Sequence, residues 1–175
     1  MSSNTAAKTP ANTTTKTRMM VQIAMLTAVA EVLMLFDFPL PFAPSFYKID
    51  LSEVPILIGC FAMGPAAGII IEAMKILLNF IISGTVTAGV GELANFAIGC
   101  SMVLPAGLIY RYHKTRKNAV LGMAAGTLVM AAIGGLLNAF VLLPAYAALF
   151  GGMDAIIGMG TAVNKNITSV QSFVL

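Results

Sequence analysis

Long, nearly uncharged apolar runs restrict this chain more than any other feature. They extend from Met19 to about Phe36, through the residues after Glu53 to Ser83, from Val90 to Tyr110 and from Ala119 to Leu143. A helix rises 1.5 Å per residue and needs ~20 apolar residues to cross ~30 Å of hydrocarbon, and several of these runs reach that length. The short segments of alternating polarity that a membrane barrel requires are not seen. Composition agrees, with 58% hydrophobic and 10% charged residues and a mean hydropathy of +0.90 over 175 residues, outside the usual mixture of a water-soluble domain. The chain reads as an all-α, polytopic membrane helical bundle.

Breakers divide the bundle. Residues 1–17, "MSSNTAAKTPANTTTKT", are small and polar and read as a disordered cytosolic tail, leaving 18–175 as the transmembrane domain. The first apolar run is too long for a signal sequence and lacks a small-x-small cleavage site, so it reads as a retained first span. In the loop 37–52, Pro39, Pro41 and Pro44 forbid helix and favour an extended path. A short second span covers about Glu53 to Met63, Gly64-Pro65 breaks it, and a third continues to Ser83. After "GTVTAG" (84–89) a fourth runs from about Val90 to Tyr110, and a fifth from Ala119 is stopped by Pro144. Residues 145–167 read as a loop and "ITSVQSFVL" as half a span. The expectation is five spans plus the beginning of a sixth, the chain stopping at Leu175 before that helix finishes.

The net charge of +3 and pI near 9.0 arise from basic residues at the edges of apolar runs. They form no continuous stripe for nucleic acid and instead report topology. Lys8, Lys16 and Arg18 precede the first span, and Arg111, Lys114, Arg116 and Lys117 follow the fourth, so both clusters are expected on the cytosolic side. Tyr47, Tyr110, Tyr112 and Tyr146 lie near expected span ends, as interfacial tyrosines do.

Polar residues within the spans need a reason, because a charge at the bilayer centre costs about 2.5 to 3.5 kcal/mol even on lenient scales. At 100° per residue Glu72, Lys75 and Asn79 fall within an arc of roughly 60°, and Glu92 and Asn95 share a face of the fourth span. Asn138 comes late in the fifth. One reading makes Glu72 and Lys75 an i, i+3 pair and the asparagines interhelical hydrogen bonds. The favoured reading is an outward-opening pocket lined by Glu72, Lys75, Asn79, Glu92, Asn95 and Asn138, suited to a flat, partly apolar, hydrogen-bonding small molecule. Phe36, Phe38, Phe42, Phe46 and Tyr47 would place aromatic surface above its mouth. Gly64/Gly68 and Gly122/Gly126 have the GxxxG spacing, and Ala24/Ala28 give a small-xxx-small face, a surface for close packing or for docking another subunit.

Several chemistries are excluded. There is no GxxxxGK[ST] loop for ATP hydrolysis. The single histidine, His113, lies in the basic patch, so neither a zinc site nor a Ser-His protease within the bundle is expected. Cys60 and Cys100 sit in apolar stretches without metal spacing and read as packing residues. Active transport would draw on an ion gradient through Glu31, Glu72 or Glu92, or on a partner ATPase. The latter is favoured because no inverted repeat is seen.

The ordered segments "FPLPF…KIDLSEVPILIGCFAMGPAAGIIIEAMKILLNF", "GVGELANFAIG…VLPAGLIYR…KTRKNAVLG" and "GTLVM…LLNAFVLLPAYAALFG" resemble the riboflavin-binding S components of energy-coupling factor vitamin transporters. The resemblance spans most of residues 19–152. It implies a six-helix cell-membrane subunit of bacterial type with a cytosolic amino end. Such a subunit binds riboflavin from outside under its first loop and needs no resident cofactor. It further implies partnership with a T component and two ATP-binding cassette ATPases. Ala24 and Ala28 match the family's AxxxA docking face, Asn138 an asparagine of its flavin pocket, and "GELANF" the start of its fourth helix. The family's Phe-Asn-x-x-Lys stretch on the sixth helix has no counterpart here, and Asn164-Lys165 lies in the preceding loop. Rival expectations are an S component for another vitamin, a membrane enzyme using Glu72 or Glu92 as general base, and a purely structural bundle.

Overall fold

The structure, a computed structural model, describes residues 11–39, 48–85, 89–142 and 144–145. Tail residues 1–10, loop residues Phe42, Phe46 and Tyr47, and everything from Tyr146 to Leu175, including the expected start of a sixth helix, lie outside the described residues.

Five α-helices follow one another: α1 (Ala11–Leu35), α2 (Glu53–Met63), α3 (Pro65–Ser83), α4 (Val90–Tyr112) and α5 (Arg116–Leu137). The last passes into a π-helical turn, Asn138–Leu142. Between α1 and α2, β1 (Phe38–Pro39) and β2 (Lys48–Ile49) pair antiparallel, Phe38 opposite Ile49. Among the described residues four helical stretches are long and apolar enough to cross a membrane: Thr15–Leu35, Pro65–Ser83, Val90–Tyr112 and Arg116–Leu142. The chain is thus an all-α polytopic membrane bundle, but the expected second span is a helix of only 11 residues. At 1.5 Å per residue it measures roughly 16 Å, about half the hydrocarbon thickness.

The ends of α2 and α3 obey local chemistry. Gly64 adopts φ +103°, a conformation that glycine tolerates and other residues rarely do, and Pro65 starts α3 where its missing N–H costs nothing. Gly64 therefore serves the turn, and a Cβ there would meet open space; at its GxxxG partner Gly68 a Cβ would come within 3 Å of the Val103 and Cys60 side chains. At α5 the pairing does hold. A Cβ at Gly122 would meet the Ala106 carbonyl oxygen at 2.8 Å, and one at Gly126 the Met102 carbonyl oxygen at 2.5 Å, so these glycines set the α4–α5 approach.

The core lies among α1 to α4, where Ile23, Ala30, Ile56, Cys60, Ala67, Ile71 and Val103 form one buried cluster. Cys60 packs there as expected, its thiol donating to the Val103 carbonyl at 3.6 Å. α5 is peripheral among the described residues, burying only Gly122 and Gly126. Leucines and valines elsewhere on its surface are exposed, the pattern of a helix facing acyl chains.

Candidate functional site

The shortness of α2 creates the polar centre of the bundle. The turn at Gly64-Pro65 aligns the two helices antiparallel, so the tenth residue before Met63 meets the tenth after Pro65. These are Glu53 and Lys75, with Nζ 3.1 Å from Glu53 Oε1. Ten residues correspond to about 15 Å of rise, so the first turn of α2 begins half-way along α3 rather than at its end. Ser52, the residue leading into α2, is buried there: it is 1% exposed, and its N–H donates to Asp50 Oδ1 at 2.7 Å.

Backbone entering an apolar interior must be matched by polar groups. Lys75 supplies them, its ammonium donating to Ser52 Oγ at 3.2 Å as well as to Glu53. The same Nζ lies 3.0 Å from Glu72 Oε2, so the i, i+3 pair anticipated from spacing forms. Both residues are enclosed, Lys75 1% and Glu72 0% exposed. Glu72 Oε1 has no hydrogen-bond partner and points at Gly99 of α4, where a Cβ would crowd the carboxylate carbon at 2.6 Å. Gly99 is the residue that admits the carboxylate between α3 and α4.

One turn further along α3, the Asn79 amide donates to Glu31 Oε1 on α1 at 3.3 Å and to Ser83 Oγ at 3.5 Å. Glu31, 4% exposed and considered from sequence only as a possible ion-coupling residue, is here the α1 contribution to the polar end. Glu92 and Asn95, half-buried, lie in the first turns of α4, beside the carboxyl end of α3. Glu92 lines a shallow hollow of about 340 Å³ with Ile76, Leu77, Phe80, Leu93 and Phe96. Asn138, also half-buried, opens the π-helical turn, which packs against α4 as well as α5.

The six residues anticipated from sequence thus divide into groups. Glu72 and Lys75 are brought together in the buried network; Asn79 joins Glu31; Glu92 and Asn95 start α4; Asn138 closes α5. The carboxyl ends of α1, α3 and α5 meet the amino ends of α2 and α4, so Asn79, Glu92, Asn95 and Asn138 lie toward one end of the bundle, while Glu72 and Lys75 sit half-way along α3. Ser52, Glu53 and Gly99 were not anticipated. Glu53 reads in sequence as an ordinary first-turn acid, and only the depth of α2 reveals its partner. Among the described residues no group of three His, Cys, Asp or Glu side chains is arranged to hold a metal ion.

On α1 the buried face carries Ile23, Thr27, Ala30 and Glu31, and Ala24 and Ala28 stand exposed beside it. The small-residue strip is therefore unoccupied by the described residues of the bundle.

A family profile described as "ECF transporter, substrate-specific component" matches residues 18–174. The chain is 40% identical over 131 residues to the riboflavin transporter RibU of Staphylococcus aureus, covering 75% of this chain and 68% of the relative. It is 38% identical over 132 residues to the riboflavin transporter FmnP of Bacillus subtilis, covering 75% and 70%. A solved structure of the S component of a bacterial ECF transporter superposes with a TM-score of 0.69 at 36% identity, covering 91% of this chain and 92% of the other.

Proposed function

The chain belongs to the substrate-specific components of ECF transporters, and from that premise we propose that it captures riboflavin outside the cell for uptake driven by partner ATPases. The relatives named as riboflavin transporters support the choice of vitamin. Membership in a substrate-binding family sets aside the rival in which an intramembrane glutamate acts as general base.

The observation that carries the site is the π-helical turn starting at Asn138, packed against the helix that bears Glu92 and Asn95. Such turns arise where a helix is locally adjusted for function. Asn138 hydrogen-bonds the carbonyl and nitrogen edge of the flavin, whose ring packs on apolar side chains, while Glu92 and Asn95 meet the ribityl hydroxyls. Glu72, Lys75 and Asn79 act from behind this layer, completing the polar end and holding the start of α2. Binding is non-covalent throughout.

Family membership implies a membrane T component and ATPase partners. The exposed strip of Ala24 and Ala28 is the docking face for the T component, with two ATP-binding cassette subunits beneath it. The amino end and the Arg111–Lys117 cluster face the cytosol.

Uptake of labelled riboflavin tests the whole assignment, in cells lacking their own flavin transporter. The protein co-expressed with T and ATPase subunits is expected to accumulate flavin, and Ala24→Leu with Ala28→Leu to abolish accumulation while leaving binding by the purified protein intact. Accumulation unchanged by the two leucines would remove the docking assignment. No accumulation with any partner set would remove the transport reading.

A further inference from the structure

The polar network and the flavin reading leave the opposite end of the molecule unused. There the Gly64-Pro65 turn faces the carboxyl end of α4 across a cavity of about 360 Å³. Its floor is apolar and aromatic, with Phe61 and Tyr110 rings 4.8 Å apart at their centroids and Met63 and Pro65 alongside. Arg111 and Lys114 complete the lining as its cationic part. The cavity exists because α4 approaches the turn at Gly107, where a Cβ would collide with Cys60 Sγ and lie 2.9 Å from Pro65 Cβ.

Two properties distinguish this cavity from an ordinary basic helix end. Among the described residues neither Arg111 nor Lys114 forms an ion pair or side-chain hydrogen bond. The carboxylates of Glu53 and Glu72 are held by Lys75 half-way along α3, and those of Glu31 and Glu92 lie toward the other end of the bundle, so none of these four offsets the two charges. The lining also changes character, from apolar rings to cations, over the length of one side chain. It sits where α4 leaves the apolar layer, the depth of lipid head groups.

We propose that this cavity is a binding site for a phosphate-bearing anion, the head group of an anionic phospholipid in particular. Arg111 offers the planar fork that pairs with phosphate oxygens, and Lys114 adds a second charge. The rings and Met63 receive the glycerol and first methylenes. An amphiphile uses both halves of the lining, whereas free phosphate would use only the cationic half. The inference is independent of which vitamin the protein carries.

Native mass spectrometry of the purified protein released from bilayers of mixed phosphatidylglycerol and phosphatidylcholine tests it. The wild type is expected to retain one phosphatidylglycerol in preference to phosphatidylcholine. Arg111→Gln with Lys114→Gln should lower that retention by about tenfold or more, since each basic residue near an anionic head group contributes about fivefold. Arg116→Gln with Lys117→Gln removes the same charge just outside the cavity and should leave retention unchanged. Equal loss in both pairs would overturn the proposal, because the effect would then be general surface charge. Inorganic phosphate distinguishes the source of the anion. If millimolar phosphate raises the melting temperature of the delipidated wild type, but not of the Arg111/Lys114 variant, and no lipid is retained, the site is one for free phosphate. Absence of both lipid retention and a phosphate effect would leave no site at all.

Discussion

At the scale of single residues, Lys75 holds more of the interior together than any other side chain. Its ammonium is within 3.2 Å of three oxygens on two helices and the segment entering α2. Isolated in hydrocarbon, such a charge would be expelled, and it stays because Glu53 and Glu72 are there. The reverse also holds, since each carboxylate depends on the lysine. Lys75→Met should therefore destabilise the protein by about 3 to 5 kcal/mol, read as a lower melting temperature in detergent, because it leaves two acids facing each other. Lys75→Met combined with Glu72→Met should recover much of that loss, since replacing a whole buried pair by apolar groups is often neutral. A single variant as stable as the wild type would mean that the network is not what anchors α2. The Glu72–Lys75 pair was legible in the sequence because i, i+3 spacing on a helix dictates contact. Glu53 and Ser52 were not, because their meeting with Lys75, 22 and 23 positions away, depends on where α2 starts in depth.

At the scale of elements, breakers that act locally were legible and continuations were not. Gly64-Pro65 gave the α2–α3 boundary because a positive φ followed by proline leaves the helix no alternative. The start of α1 at Ala11 was missed, being read as tail up to Thr17. Helical hydrogen bonding does not require an apolar face, and no breaker follows Pro10 to stop a span from extending outward. Likewise α5 begins at Arg116, inside what reads as a basic connecting patch, because Thr115 Oγ1 accepts from the Asn118 N–H at 3.3 Å and caps it. The contact most exposed to a single change is that between α4 and α5, which rests on Gly122 and Gly126. Gly126→Val should force the helices apart and lower stability by about 1 to 3 kcal/mol. Gly135→Ala, in open space on the same helix, should not. Thermal melts of the two variants in one detergent compare them, and equal melting temperatures would show that α5 is held elsewhere.

At the scale of the whole molecule, the two ends differ in chemistry. One gathers Glu31, Asn79, Glu92, Asn95 and Asn138 where helix ends converge; the other presents Arg111, Lys114, Arg116 and Lys117. A basic end of this kind is the usual cytosolic side of a membrane protein. Sequence periodicity was enough to place Asn79, Glu92, Asn95 and Asn138 at one end, because alternating helix directions carry it over, but not to show that Glu72 and Lys75 meet α2 half-way along α3. It was not enough to say which of them enclose one another around Lys75 and which, like Glu92, Asn95 and Asn138, stand outside that network. The account depends on the latter group, Asn138 above all, meeting a flavin. Riboflavin fluorescence titrated with the purified protein in detergent measures this directly. The account predicts quenching that saturates at one flavin per chain, with Asn138→Ala weakening the affinity by about 1 to 3 kcal/mol at an unchanged melting temperature. Emission that stays constant at micromolar protein, or quenching indifferent to Asn138, would contradict it.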